Sequence, residues 1–141
     1  MNSTIEKFGY PQSLVREYGY WLILLRPAQV TLGSLVLAAK SEATAFADLP
    51  PEAFAELSRV TVAIDKGLAD FVSFERLNYL MLMMVDPHVH FHVIPRYAGD
   101  RHWNGRQFPD VGWPAVPDLK TAGQLTDNEI RNLTNEVQTY F

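Results

Sequence analysis

Three of the four histidines in this chain alternate with apolar residues in one short stretch. They are His88, His90 and His92, separated by Val89 and Phe91. Successive side chains of a β-strand point to opposite faces, so an extended segment here would place the three imidazoles in one row. The apolar residues would anchor the other face in a core and make the row rigid, as a reaction centre requires.

Three interpretations of this histidine row can be compared on physical grounds. A purely structural row is disfavoured, because imidazoles this close repel one another when protonated. A zinc site is disfavoured because four residues of strand span about 13 Å, whereas Zn–N bonds are about 2.0–2.1 Å long. Phosphoryl chemistry is favoured, since imidazole is a nucleophile that is largely unprotonated near its usual pKa of about 6.5. Three arginines that follow the row could stabilise phosphate charge, namely Arg96, Arg101 and Arg106.

Composition limits the function further. The chain has 141 residues, 48% hydrophobic and 20% charged, with a net charge of −4. An acidic balance argues against a dedicated nucleic-acid binder but leaves room for a small anionic substrate. Cysteine is absent, which excludes thiolate chemistry. The longest apolar run, 79–85, is far shorter than the roughly 20 residues of a membrane span, so we expect a cytoplasmic protein.

Hydrophobic periodicity predicts an α+β domain built on an antiparallel sheet of five strands, with one main helix and a C-terminal helix. The main helix carries apolar residues at spacings of three and four, and Thr126 with Glu129 forms a capping box for the C-terminal helix. Asp86-Pro87 indicates a short turn between the last two strands. The predicted elements are strands at 12–18, 20–26, 35–39, 76–85 and 88–95, helices at 51–71 and 126–140, and an irregular segment at 98–124.

The histidine row resembles a known family. His88 to Ile94 matches the His-φ-His-φ-His-φ-φ signature of the histidine-triad superfamily, where φ is apolar. The order of elements over roughly residues 15–104 is similar as well, within a single domain expected over 1–141. The extension after the signature resembles the fragile-histidine-triad and dinucleoside-polyphosphate hydrolase branch; it reads Pro95-Arg96-Tyr97-Ala98-Gly99-Asp100.

The resemblance implies an activity and roles for the three histidines. His90 would attack the α-phosphorus of a nucleotide and form a nucleotidyl-histidine intermediate, which water would release as a nucleoside monophosphate. His92 would contact the phosphate oxygens, and His88 would orient the nucleophile, partly through its backbone carbonyl. The resemblance also implies a homodimer and no tightly bound cofactor; Mg²⁺ would arrive only with a polyphosphate substrate.

Three departures from the family pattern affect the phosphate site. Ser34 stands where family members commonly carry a fourth histidine, and the glycine-rich loop that usually precedes the triad is missing. Arg26 stands near a position that is often Asn. We therefore predict that Arg26, Arg96, Ser34 and Trp103, or other parts of 98–124, contact the substrate instead. Two alternatives stay open: a degenerate domain that binds a nucleotide or a protein without turnover, and a metalloprotein.

Overall fold

The computed structural model describes all 141 residues, and its regular elements are as follows. The helices are α1 (Ser3–Lys7), α2 (Pro51–Val72) and α3 (Asp127–Gln138). The strands are β1 (Leu14–Glu17), β2 (Trp21–Leu25), β3 (Ala28–Gln29), β4 (Leu35–Ala39), β5 (Arg76–Leu80), β6 (His90–Arg96), β7 (Arg101–Trp103), β8 (Arg106–Phe108) and β9 (Gly123–Gln124).

Five of the strands form one antiparallel sheet in the order β1-β2-β4-β6-β5. The remaining strands form two small pairs, β3 with β9 and β7 with β8. The predicted fold class is confirmed: an α+β structure with a five-stranded antiparallel sheet, a main helix and a C-terminal helix. The strand β6 lies between β4 and β5, so the histidine strand is held by backbone hydrogen bonds on both edges.

The two faces of the sheet are covered differently. One face packs into the main core, which includes residues of α2 and α3. The other face of β2 and β4 packs against α1 in a smaller cluster of five buried residues, which are Ile5, Leu22, Leu24, Val36 and Ala38. Residues of β2 and β4 are therefore buried on both sides, as their continuous apolar sequences suggest.

The main helix agrees with the prediction to within one residue. Pro51 occupies the first turn, where its missing N–H costs no hydrogen bond, and Ser73 ends the helix in a left-handed conformation with φ of 52°. Most of the predicted apolar face is buried or half-buried, but Phe54 is 40% exposed and packs against Phe46 instead. None of the helices is both long and apolar enough to cross a membrane.

The prediction was wrong about the segment before the histidine strand. The strand β5 ends at Leu80, not at residue 85, and β6 begins at His90, not at residue 88. The two strands do pair antiparallel, but nine residues (81–89) connect them. Met83 has a φ of 50°, a left-handed conformation that breaks strand geometry. The apolar residues that suggested a longer strand are exposed in this connection, namely Leu82, Met84 and Val85.

The prediction of an irregular segment at 98–124 was also partly wrong. The strands β7 and β8 form a hairpin whose turn is Asn104-Gly105, both with positive φ, as a two-residue hairpin turn requires. A buried ion pair between Arg96 and Asp110, with N and O atoms 2.7 Å apart, fixes the chain after this hairpin to β6. The short helix α1 was not predicted at all, although Asn2 caps it by accepting from the N–H of Ile5.

Candidate active site

The histidine row lies on the sheet face that α1 covers. The rings of His90 and His92 are side by side on β6, with centroids 5.0 Å apart and planes nearly perpendicular. His88 lies just before the strand, so only two of the three histidines belong to β6. The intervening apolar residues pack into the main core on the opposite face, as predicted; they are Val89, Phe91 and Val93.

His90 presents one unpaired ring nitrogen. Its Nδ1 lies 2.7 Å from the backbone oxygen of His88, which can only accept a hydrogen bond. This contact assigns the proton of a neutral ring to Nδ1 and leaves a lone pair on Nε2. No protein group makes a hydrogen bond to that nitrogen. The residue as a whole is 1% exposed.

His92 is held in the opposite tautomer by Arg26. The guanidinium Nε donates to His92 Nδ1 over 3.3 Å, so the proton of the neutral ring is on Nε2. Burial, followed by the positive charges of Arg26 and His90, lowers the pKa of His92 to about 4, although Asp86 opposes this shift. The ring is therefore a neutral hydrogen-bond donor near neutral pH. Burial also lowers the pKa of Arg26 from its usual value.

His88 makes contacts at every polar atom. Its Nδ1 lies 2.8 Å from the hydroxyl of Thr4 in α1, and its Nε2 lies 3.1 Å from a carboxylate oxygen of Glu42. Its backbone N–H donates to the same Thr4 hydroxyl over 3.3 Å. Together with the carbonyl contact to His90, these bonds connect His88 to three different parts of the chain.

The N-terminal segment, residues 2–10, covers the row. The Phe8 ring lies over both strand histidines, with centroids 5.6 Å from that of His90 and 5.8 Å from that of His92. An ion pair of 2.7 Å joins Lys7 to Asp86 beside it. The surface has four cavities, and none is lined by a residue of the histidine row. The Phe8 ring therefore borders the approach of a substrate to His90.

Of the four predicted substrate-contacting residues, the structure brings only Arg26 to the histidines. Ser34 is fully buried and exchanges hydrogen bonds with the backbone of Thr31. Arg96 is 3% exposed and its guanidinium is occupied by Asp110 and Asn78. Trp103 lies on β7 and donates to Glu136 of α3 over 3.0 Å. These three side chains hold the structure together, and none makes a hydrogen bond to a histidine of the row.

Comparison with solved structures identifies the fold. A histidine triad protein from Sinorhizobium meliloti is 21% identical, with a TM-score of 0.71 over 100% of this chain and 96% of that one. A hypothetical histidine triad nucleotide-binding protein from Sulfolobus tokodaii is 20% identical, with a TM-score of 0.70 over 97% and 88%. This chain has the histidine-triad fold.

Proteins with the histidine-triad fold that resemble this chain include an enzyme. The diadenosine triphosphate hydrolase of Plasmodium falciparum, solved in complex with Cyclomarin A, is 11% identical, with a TM-score of 0.67 over 97% of this chain and 92% of that one. No family model matches the chain, and no curated protein is similar to it in sequence. The likeness is therefore one of fold, and the histidine row carries the chemical argument.

Sequence reasoning missed three residues that contact the histidine row of this histidine-triad fold. They are Thr4, Phe8 and Glu42, which approach from α1 and from the loop after β4. Asn2 was a usable signal for a helix start, because Asn is a favoured N-cap residue. Nothing local could pair Thr4 with His88, since 84 positions separate them.

Proposed function

We propose that this protein is a nucleotide hydrolase or nucleotidyl transferase that works through a covalent bond between His90 and the α-phosphorus. The observation that supports it most is the 2.7 Å contact between His90 Nδ1 and the His88 carbonyl. This contact points the lone pair of Nε2 away from the backbone and fixes the ring, which is what a nucleophile needs. The neutral His92 beside it can donate a hydrogen bond from Nε2 to the substrate, and its lowered pKa keeps it from taking up a proton near neutral pH.

The reaction proceeds in two displacements. His90 Nε2 forms a bond to the α-phosphorus while the bond from phosphorus to the leaving oxygen breaks. The leaving group departs with that electron pair and takes a proton from water. In the second step, a water oxygen, or the hydroxyl of another acceptor, bonds to phosphorus and the N–P bond breaks. The electron pair returns to Nε2, a nucleoside monophosphate or its ester leaves, and the water or hydroxyl proton is released.

Two groups beside the nucleophile would stabilise the phosphate oxygens. His92 can donate from Nε2, because its Nδ1 is occupied by Arg26. Arg26 adds the nearest guanidinium charge, and charge placed where it develops is the largest catalytic term in many enzymes. These groups would replace the missing glycine-rich loop in part. The proposal therefore assigns Arg26 to the phosphate site and leaves Ser34, Arg96 and Trp103 to structural roles.

Dinucleoside polyphosphates are the substrate class that we propose to test first. The sequence after the triad resembles the dinucleoside-polyphosphate hydrolase branch, and a diadenosine triphosphate hydrolase shares the fold. Mg²⁺ would accompany such a polyphosphate. No group of three or more His, Asp or Glu residues in the structure is arranged to hold a metal ion.

We also propose that the protein is a homodimer joined at the β5 edge of the sheet. This strand has a partner on one side only, so its other edge presents free backbone donors and acceptors. The connection that follows it exposes Leu82, Met84 and Val85. Apolar side chains beside an open edge strand are a combination that a second subunit would cover.

The decisive experiment is capture of the adduct. The protein is mixed with a dinucleoside polyphosphate labelled at the α-phosphate, and denatured within seconds. We expect label on His90 that is lost in acid, as a phosphorus–nitrogen bond requires. His90→Ala should abolish both the adduct and monophosphate release, while His102→Ala, which changes the exposed fourth histidine, should leave both unchanged. No monophosphate across a panel of dinucleoside polyphosphates, nucleoside phosphoramidates and nucleotide sugars would reject the proposal.

A second function is supported by the burial of His90. A histidine that is 1% exposed and packs against Phe8 fits a domain that binds a nucleotide or a protein without turnover. Calorimetric titration with the same nucleotides separates the two proposals. Saturable binding with no monophosphate over several hours, in the wild type and in Phe8→Ala, would favour the non-catalytic domain.

A further inference from the structure

Thr4 connects the N-terminal helix to the nucleophile through a chain of hydrogen bonds. Its hydroxyl lies 2.8 Å from Nδ1 of His88 and accepts the His88 N–H over 3.3 Å. The His88 carbonyl in turn lies 2.7 Å from Nδ1 of His90. Thr4 is thus connected to the His90 ring through one intervening residue, His88, although 84 positions separate Thr4 from His88 in the sequence.

The partners of His88 determine which way each bond runs. A carboxylate oxygen of Glu42 lies 3.1 Å from Nε2 and favours a proton on that nitrogen, which makes Nδ1 an acceptor in the neutral ring. The Thr4 hydroxyl then donates to Nδ1 of His88 and accepts from the backbone N–H of His88. Thr4 is 2% exposed, so its hydroxyl has no water to replace these partners. Glu42 is mostly exposed and contributes less to holding the ring.

The position of Thr4 is itself fixed. Asn2 donates from its side chain to the backbone oxygens of Ala39 and Ser41, over 3.1 and 2.9 Å. Ile5 is fully buried in the small cluster against β2 and β4. The first turn of α1 is therefore attached to the sheet on both sides of Thr4, which makes its hydroxyl a rigid reference point for His88.

We propose that Thr4 is a positioning residue for the reaction of His90, and that it acts through His88. The inference rests on the proposed function, because it concerns the alignment of the same nucleophile. Removal of the hydroxyl would leave the backbone N–H and Nδ1 of His88 unpaired, so residue 88 would shift to find water. Its carbonyl would then cease to hold the His90 ring, and Nε2 would lose alignment with phosphorus.

The activity test uses a substitution that keeps the shape of Thr4. Thr4→Val should lower kcat about 10- to 100-fold, the range seen when a hydrogen-bond partner that orients a metal-ligating histidine is removed. KM should stay unchanged, because Thr4 does not contact the substrate. Thr4→Ser should restore kcat. The matched control is Thr134→Val, which removes a buried hydroxyl that has no hydrogen-bond partner and lies in α3. A kcat for Thr4→Val equal to that of Thr134→Val would overturn the proposal.

A second readout does not require turnover. Long-range proton–nitrogen correlation spectra of the four histidines report which ring nitrogen carries the proton. We expect Thr4→Val to change the nitrogen shifts of both His88 and His90, and Thr134→Val to change neither. Unchanged His90 shifts would overturn the positioning role. If the wild type hydrolyses nothing, the proposed function fails, and these spectra still decide whether Thr4 orders the His90 ring.

Discussion

At His92, burial and the Arg26 guanidinium both act against protonation of the ring. The tautomer that results has its proton on Nε2, on the side away from Arg26. His90 has the opposite tautomer because its partner is a carbonyl. Two adjacent imidazoles thus differ in role through one hydrogen bond each: one presents a lone pair and the other a proton. The hydrogen-bond partners of the two rings therefore determine which ring nitrogen carries the proton and which presents a lone pair.

The lowered pKa of His92 predicts that stability falls in mild acid. The ring titrates near 4 in the folded protein and near about 6.5 in the unfolded chain. Between these values the unfolded state binds more protons, so the free energy of unfolding decreases as pH falls from the upper value to the lower one. Urea unfolding at several pH values measures this decrease. The slope should be smaller in His92→Gln, and equal slopes would contradict the assignment.

The Arg96–Asp110 pair predicts a large loss of stability when one partner is changed. Both side chains are almost fully buried, so Asp110→Asn would leave a guanidinium charge without compensation. We expect a cost of about 3–5 kcal/mol in the free energy of unfolding. Glu17→Gln is the control, because it breaks the more exposed Lys40–Glu17 pair and should cost at most about 1 kcal/mol. Similar costs for the two variants would show that Asp110 is not the essential partner.

The helix α1 contacts the candidate site from outside the sheet. Its Thr4 supports the row and the Phe8 at its end covers it. We expect Phe8→Ala to raise kcat/KM by lowering KM, because the ring would no longer narrow the approach to His90. Steady-state kinetics on the best substrate measure this. Phe46→Ala, on a half-exposed phenylalanine that packs against Phe54 and Phe91, serves as the control. A higher KM in Phe8→Ala would instead mean that the ring contacts the bound substrate.

Local patterns predicted the elements that depend on local physics. The helix α2 followed from its spacing of apolar residues, and the capping box at Thr126 and Glu129 is present in the structure. The Asn104-Gly105 hairpin could also have been predicted, since that dipeptide favours the observed turn. The end of β5 could not be predicted, because the left-handed backbone at Met83 interrupts a sequence that is apolar throughout.

The candidate site was predictable only where its residues are neighbours in sequence. The alternation of histidines gave the row, and the contact of the His88 carbonyl with His90 joins residues two positions apart. Thr4, Phe8 and Glu42 come from distant parts of the chain and have no motif of their own. Ser34, Arg96 and Trp103 carry polar or aromatic groups that suit a ligand, but packing uses those groups internally.

For the whole molecule, the open β5 edge predicts a dimer that surface charge can disrupt. Met84 and Val85 are 87% and 81% exposed, so the double change Met84→Lys and Val85→Lys should leave the fold of one subunit intact. Analytical ultracentrifugation over a range of concentrations should show the wild type as a dimer and this variant as a monomer. Val111→Lys, at another exposed valine, is the control. A wild type that is monomeric at all concentrations would reject the dimer.

The backbone bonds on either side of Phe8 limit how the site can open. Its N–H donates to the Thr4 carbonyl over 3.2 Å, and its own carbonyl accepts from the Ser13 hydroxyl over 2.7 Å. Because these bonds hold the main chain, the smallest motion that would uncover the histidines is rotation of the Phe8 ring about its side-chain torsions. Rotations of exposed side chains take roughly picoseconds to nanoseconds, whereas enzymes turn over about once to a thousand times per second. In the proposed reaction the ring would therefore open many times per catalytic cycle. The apparent affinity would be the intrinsic affinity multiplied by the fraction of time that the ring is open, and the chemical step would not be slowed.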